Sequence, residues 1–184
     1  MIDQLIAWDQ SLMILLNNLG SSTYDGLWLF ITKQLHWAPY FAVILFLAYK
    51  KLGKTNFLYL LLCTALLLVV TDQSANLFKN YFMRLRPCNE PALQGLIRVV
   101  KCSDTFSFYS GHATNSMATT VLVFALLRSY YKYAALLFLF PLIFAYSRIY
   151  LGLHYPGDIL TGYLFGALYG YGAYRLFRKL VLKQ

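Results

Sequence analysis

Two histidines, one aspartate and three cations are the residues of this 184-residue chain whose types and spacing could do chemistry, and they fall in three clusters. The first is Lys79-Asn-Tyr-Phe-Met-Arg84-Leu-Arg86-Pro87 and the second is Tyr109-Ser110-Gly111-His112. The third runs from Ser147-Arg148 through Tyr150, Gly152 and His154 to Tyr155-Pro156-Gly157-Asp158. Lys79, Arg86 and Arg148 supply positive charge, and the two guanidinium groups present forks of donors that suit phosphate oxygens. Ser110 adds a hydroxyl. Gly111 lets the backbone approach a ligand closely where a helix start presents free N–H groups. As a set these residues read as an anion cradle.

His154 and Asp158 stand four residues apart, so one helical turn puts the carboxylate beside the imidazole. Pro156 fits within that first turn. A carboxylate on one ring nitrogen fixes the tautomer and leaves the other nitrogen free to attack. His112 then suits the complementary task of protonating a leaving oxygen and activating water. Taken singly, the His–Asp pair reads as structural, Arg148 as a headgroup anchor and Gly111 as a turn. Only their convergence argues for chemistry, and convergence depends on the elements that carry them. His36, beside Trp37, lies outside the clusters and reads as interfacial.

The elements are apolar helices. Of the chain, 59% is apolar, 18% aromatic and only 12% charged, against roughly 25% charged in soluble domains. Such a surplus of apolar surface needs a bilayer. Stretches near the ~20 residues that cross hydrocarbon lie at 35–49, 56–78, 112–127, 133–150 and 155–177, the first and third short. The predicted fold is all-α, a polytopic transmembrane helix bundle of five or six spans with an N-terminal interfacial helix. Counting crossings, the second span ends, the third begins, the fourth ends and the fifth begins on one face. The three clusters are therefore expected to meet there.

Residues 2–19 mix Asp3, Gln4, Asp9, Gln10 and Asn17 with leucines and Trp8, the pattern of a helix lying in the interface. An acidic start without a basic region argues against a cleaved signal peptide. Residues 1–34 are accordingly read as N-terminal interfacial amphipathic segments and 35–184 as one transmembrane domain. A second short segment, 23–34, leaves open whether the N-terminus makes a sixth crossing.

Basic residues orient the bundle. Lys50, Lys51 and Lys54, then Arg128 and Lys132, then Arg175, Arg178, Lys179 and Lys183 fall on one side, with no acid among them, and that side is expected to be cytoplasmic. The net charge of +9 is divided between two membrane faces, which argues against a nucleic-acid partner. Of the three cysteines, Cys63 lies in an apolar helix, whereas Cys88 and Cys102 bracket a loop on the face expected to be extracytoplasmic. There they are either a disulfide or two free thiols.

The clusters resemble the signature of the type 2 phosphatidic acid phosphatase (PAP2) superfamily: K-x6-R-P, then P-S-G-H, then S-R-x5-H-x3-D. Lys79 with Arg86-Pro87 carries the first part, Ser110-Gly111-His112 the second, and Ser147-Arg148, His154 and Asp158 the third. Tyr109 replaces the usual proline, a change expected to affect the entry turn rather than the chemistry. The resemblance implies a membrane lipid phosphatase in which His154 becomes phosphorylated, Asp158 supports it and His112 is acid and base. Lys79, Arg86, Ser110, Gly111 and Arg148 would bind the phosphoryl oxygens. It implies no metal and no cofactor, and the clusters lack the several carboxylates of a two-magnesium site. The expected partners are the bilayer and a lipid phosphate, with undecaprenyl pyrophosphate preferred. Phosphatidylglycerol phosphate, phosphatidic acid and a lipid A phosphate stay open, as do transfer to another lipid and headgroup binding without catalysis.

Overall fold

The computed structural model describes residues 1–182. Lys183, grouped above with the basic tail, lies outside the described residues. The chain is helical, with no strand among the described residues. Helix α1 (Ile2–Asn18) leads through a 3-10 turn to α2 (Asp25–Ile31), and a second 3-10 turn opens α3 (Ala38–Phe82). A long loop with two 3-10 turns precedes α4 (Gly111–Leu127). Then come a 3-10 turn at Ala134–Phe138, α5 (Leu139–Tyr150), α6 (Pro156–Phe177) and a π-helical turn at Arg178–Leu182.

Helix α3 is a hairpin. Gly53 interrupts it with φ 74° and ψ 169°, a conformation open to a residue without Cβ. The rings of Tyr49 and Phe57 stand 5.4 Å apart. Eight residues of continuous helix would separate them by about 12 Å. Residues 38–52 and 54–82 are thus antiparallel arms, and the loop expected around Lys50, Lys51 and Lys54 is a reversal at one glycine.

The outer faces are apolar. Leu58, Leu62, Leu66, Val69 and Val70 on α3, Leu142 and Ile143 on α5, and Leu160, Leu164 and Leu168 on α6 are all exposed. Rows of this kind exceed what a soluble monomer shows to water, and they suit contact with hydrocarbon.

In lipid, helices gain little from burying apolar surface against one another, so they associate through close packing. Here α4 packs along α6 through Gly162, Gly166 and Gly170. A Cβ on Gly162 would lie 2.8 Å from the Ser110 carbonyl oxygen, and one on Gly166 2.6 Å from that of Thr114. A Cβ on Gly170 would strike the Ala118 backbone. The seam seats the start of α4 against the start of α6, where the Ser110 N–H donates to the Asp158 carbonyl at 3.2 Å.

The N-terminal segments close the same end of the bundle. Asn17, fully buried, donates through Nδ2 to the carbonyls of Ile149 (3.0 Å) and Tyr150 (2.9 Å) in the last turn of α5. Its Oδ1 accepts the Arg98 N–H at 2.6 Å. Asp25 of α2 pairs with Arg98 at 2.8 Å, and Trp28 stacks on Tyr150. Residues 83–110 are held down by Cys88 N–H donating to Gly152 O (3.1 Å) and Lys101 N–H to Leu151 O (3.1 Å). The same loop carries a disulfide between Cys88 and Cys102, with Cα atoms 5.7 Å apart.

Candidate active site

After α5 the chain turns back through Gly152, at φ 84°, so that His154 sits immediately before the capped start of α6. His154 is 1% exposed and Asp158 is fully buried. Asp158 Oδ2 accepts the Tyr155 N–H at 3.0 Å, lies 3.3 Å from His154 Nδ1 and also accepts the Ser107 hydroxyl. The other carboxylate oxygen takes Arg84 Nη1 at 2.9 Å. Asp158 is therefore held on both oxygens.

On the far side of the ring, Arg86 Nη1 approaches His154 Nε2 at 3.1 Å. A guanidinium only donates, so Nε2 carries a lone pair and Nδ1 carries the proton that points to Asp158. Burial pushes the His154 imidazole down to about 4, against the opposing pull of Asp158. The ring is neutral at neutral pH. His154 is thus a buried imidazole with its free nitrogen turned toward Arg86.

Arg86 is 4% exposed and is held by Thr105 through its carbonyl (2.7 Å) and hydroxyl (2.8 Å), and by the Leu153 carbonyl (2.8 Å). Arg148, 8% exposed, donates from Nη1 to Thr32 Oγ1 at 2.7 Å, while its buried Nε has no partner. Lys79 lies within electrostatic reach of both. Among the described residues, none of the three forms an ion pair. Buried charge is costly without an opposite partner, so this arrangement calls for an anion.

Ser110 caps α4, its Oγ accepting the Ala113 N–H at 3.4 Å. A Cβ on Gly111 would meet only Ala75 at 3.7 Å, an ordinary contact. Protein packing does not demand that glycine, which faces a cavity. His112 stacks on Phe144 with centroids 5.3 Å apart and lies within electrostatic reach of Arg148, His154, Lys79 and Arg86. Lys79, Gly111 and His112 form one end of a cavity of about 690 Å³ between the α3 hairpin and α4. Tyr109 is fully buried, with its hydroxyl 2.7 Å from Ser74 Oγ and its ring stacked on Phe165. His36 stacks on Phe30, and Cys63 is half-buried in α3.

All the residues singled out for chemistry in the sequence meet at this end of the bundle. Four partners were not anticipated: Arg84, Ser107, Asp9 and Thr32. Arg84 bridges Asp158 to Asp9 Oδ2 (2.7 Å) and lies 3.7 Å over the Tyr155 ring. Asp9 Oδ1 accepts the Gly157 N–H at 2.7 Å, so a carboxylate from α1 caps α6. An acid on the polar side of α1 was the available signal for Asp9; Ser107 and Thr32 carry none.

Residues 56–182 match the PAP2 superfamily. The chain is 30% identical to a lipid A 4'-phosphatase of Bacteroides thetaiotaomicron over 100% of its own length and 83% of that protein. It is 27% identical to a lipid A 4'-phosphatase of Porphyromonas gingivalis over 96% of this chain and 75% of the relative. An undecaprenyl-diphosphatase of Sulfolobus acidocaldarius is 30% identical over 90% of this chain and 76% of the relative. The fold is that of a transmembrane PAP2-type phosphatidylglycerolphosphate phosphatase from Bacillus subtilis, with a TM-score of 0.71 and 18% identity, covering 96% of this chain and 88% of that one. With the signature residues gathered at one site and the match spanning most of the sequence, the chain belongs to the PAP2 superfamily.

Proposed function

We propose that the protein is an integral membrane lipid phosphatase that works through a phosphohistidine on His154. The observation that carries this reading is the buried Nε2 of His154, 3.1 Å from Arg86 in a site whose three cations form no ion pair among the described residues. A phosphate monoester supplies that anion. Arg86 Nη1 then turns from Nε2 to a phosphoryl oxygen, with Arg148 Nε, Lys79 and the Gly111 N–H on the others. Nε2 attacks phosphorus, the P–O bond to the lipid breaks, and His112, which takes up a proton once the phosphate's negative charge has entered the cradle, gives it to the leaving oxygen. Asp158 takes up the charge on Nδ1–H. In the second step His112 removes a proton from water, the new P–O bond forms, the P–N bond breaks and phosphate leaves. His112 ends protonated, as it stood before the attack, and no metal takes part.

The preferred substrate is a lipid A phosphate, because two relatives aligned with nearly the whole chain carry that activity in their names. Undecaprenyl pyrophosphate, the substrate preferred among those the family resemblance implies, is the second reading and is supported by the undecaprenyl-diphosphatase relative. The protein resides in the cytoplasmic membrane with five crossings, made by the two arms of α3, by α4, by α5 with its leading turn, and by α6. Residues 1–34 lie along the extracytoplasmic interface, where the site opens at headgroup depth. The purified protein in lipid should release phosphate from a lipid A phosphate, and acid quenching should trap a phosphoenzyme. His154→Ala should abolish both while the protein stays folded. Full turnover in that variant would remove the covalent mechanism.

A further inference from the structure

The cavity that begins at Lys79 and His112 holds polar groups the mechanism does not use. Along α3, Lys79, Asn76, Asp72, Ala65 and Leu61 line one face, so the cavity follows the arm for about 27 Å. Its far end is apolar, as a lipid tail requires. Its near end is not. Asp72, two turns from Lys79, is open to the cavity, and Asn115, one turn from His112, lies opposite it. Asn115 Nδ2 donates to Asp72 Oδ1 at 2.6 Å. A carboxylate accepts only, so this bond fixes the orientation of the amide and leaves Asn115 Oδ1 as an acceptor, buried and without a partner. Among the described residues Asp72 forms no ion pair. A carboxylate at membrane depth and an orphaned amide oxygen are each unfavourable, and bilayer proteins keep such groups where a ligand uses them.

Resting on the lipid phosphatase reading, we propose that Asp72 and Asn115 form a recognition rung for the group that carries the phosphate. Both offer acceptors, so the group they select bears donors: hydroxyls or amide N–H groups, as on an acylated amino sugar. A polyprenyl chain offers none. The site is thereby tuned to a glycolipid phosphate. Sites built to hydrogen-bond a donor discriminate strongly against ligands that lack it.

The test compares phosphate release from a lipid A phosphate and from a polyprenyl pyrophosphate, using the full chain in lipid. In Asn115→Leu the ratio of kcat/KM on the first to that on the second should fall about tenfold to a hundredfold. Asp72→Asn, which keeps side-chain volume, should lower the same ratio by a smaller factor. A ratio unchanged in both variants overturns the rung, including when both activities fall together. Wild-type protein active only on the pyrophosphate also overturns it, yet leaves the phosphatase reading standing. Wild-type protein that releases phosphate from neither lipid overturns that reading and this inference together.

Discussion

At the residue scale, the site is built on one carboxylate with several obligations. Asp158 faces His154, takes the Ser107 hydroxyl, caps its own helix through the Tyr155 N–H and accepts Arg84. Arg84 is the partner that reaches out of the site, since its other nitrogen holds Asp9. We expect it to act as a positioning residue: without it Asp158 keeps its place in α6 but can rotate away from the imidazole. Arg84→Ala should lower kcat about tenfold to a hundredfold with little change in KM, the sign of an interaction that matters in the transition state rather than in binding. Arg84→Lys should restore part of that loss. Unchanged kcat in the alanine variant would show the bridge to be structural only. The groups proposed to touch phosphate were legible in the sequence because ionisable residues are rare in so apolar a chain and therefore conspicuous. Their supports were not legible. Arg84 and Asp158 are 74 residues apart and Gly157 and Asp9 are 148 apart, and nothing local announces such pairings.

At the element scale, registration of the site falls to the contact between α4 and α6. Ser110, Gly111 and His112 open one helix and Asp158 lies in the first turn of the other, so sliding along the seam would move His112 away from His154 and Asp158. Glycines at 162, 166 and 170 set that register, and their four-residue spacing goes unnoticed in a stretch read only as an apolar span. Hydropathy located the helices. It could not show that the first two would join at Gly53, because basic residues at a hairpin tip look the same as basic residues in a loop. The seam predicts opposite signs for two alanine substitutions in α6. A Cβ on Gly166 meets the Thr114 carbonyl and Met117, so Gly166→Ala should destabilise by about 1–3 kcal/mol and impair turnover. A Cβ on Gly172 meets nothing within 4 Å, so Gly172→Ala should stabilise by about 0.5–1 kcal/mol with turnover intact. Unfolding in detergent measures both, and equal effects would mean that the seam does not set the register.

At the scale of the whole molecule, the two ends of the bundle differ in charge in a way the structure makes concrete. Lys51 lies over the rings of Tyr130 and Tyr131, so the α3 hairpin tip and the α4–α5 turn share one end. Phe177 packs in a common core with Ala48, Leu126 and Leu127, which brings the basic end of α6 there as well. The opposite end holds Asp9, Asp25 and Asp158, the disulfide loop and the cationic cluster proposed to cradle phosphate. Basic residues gain roughly 1 kcal/mol each beside an anionic cytoplasmic leaflet, so the free energy of orientation favours the basic end inside. The sequence suggested this only weakly, because nine basic residues stood against seven until folding drew the hairpin tip, the turn and the tail together. The orientation is open to a direct test in a Cys63→Ser background, where Cys88 and Cys102 are bonded to each other. In spheroplasts, a membrane-impermeant thiol reagent should label Asp104→Cys, exposed beside the disulfide loop, without permeabilisation. It should label Lys54→Cys, exposed at the hairpin tip, only after the membrane is opened. The reverse pattern would put the phosphate cradle in the cytoplasm and require the lipid phosphate to be met there, before export rather than after it.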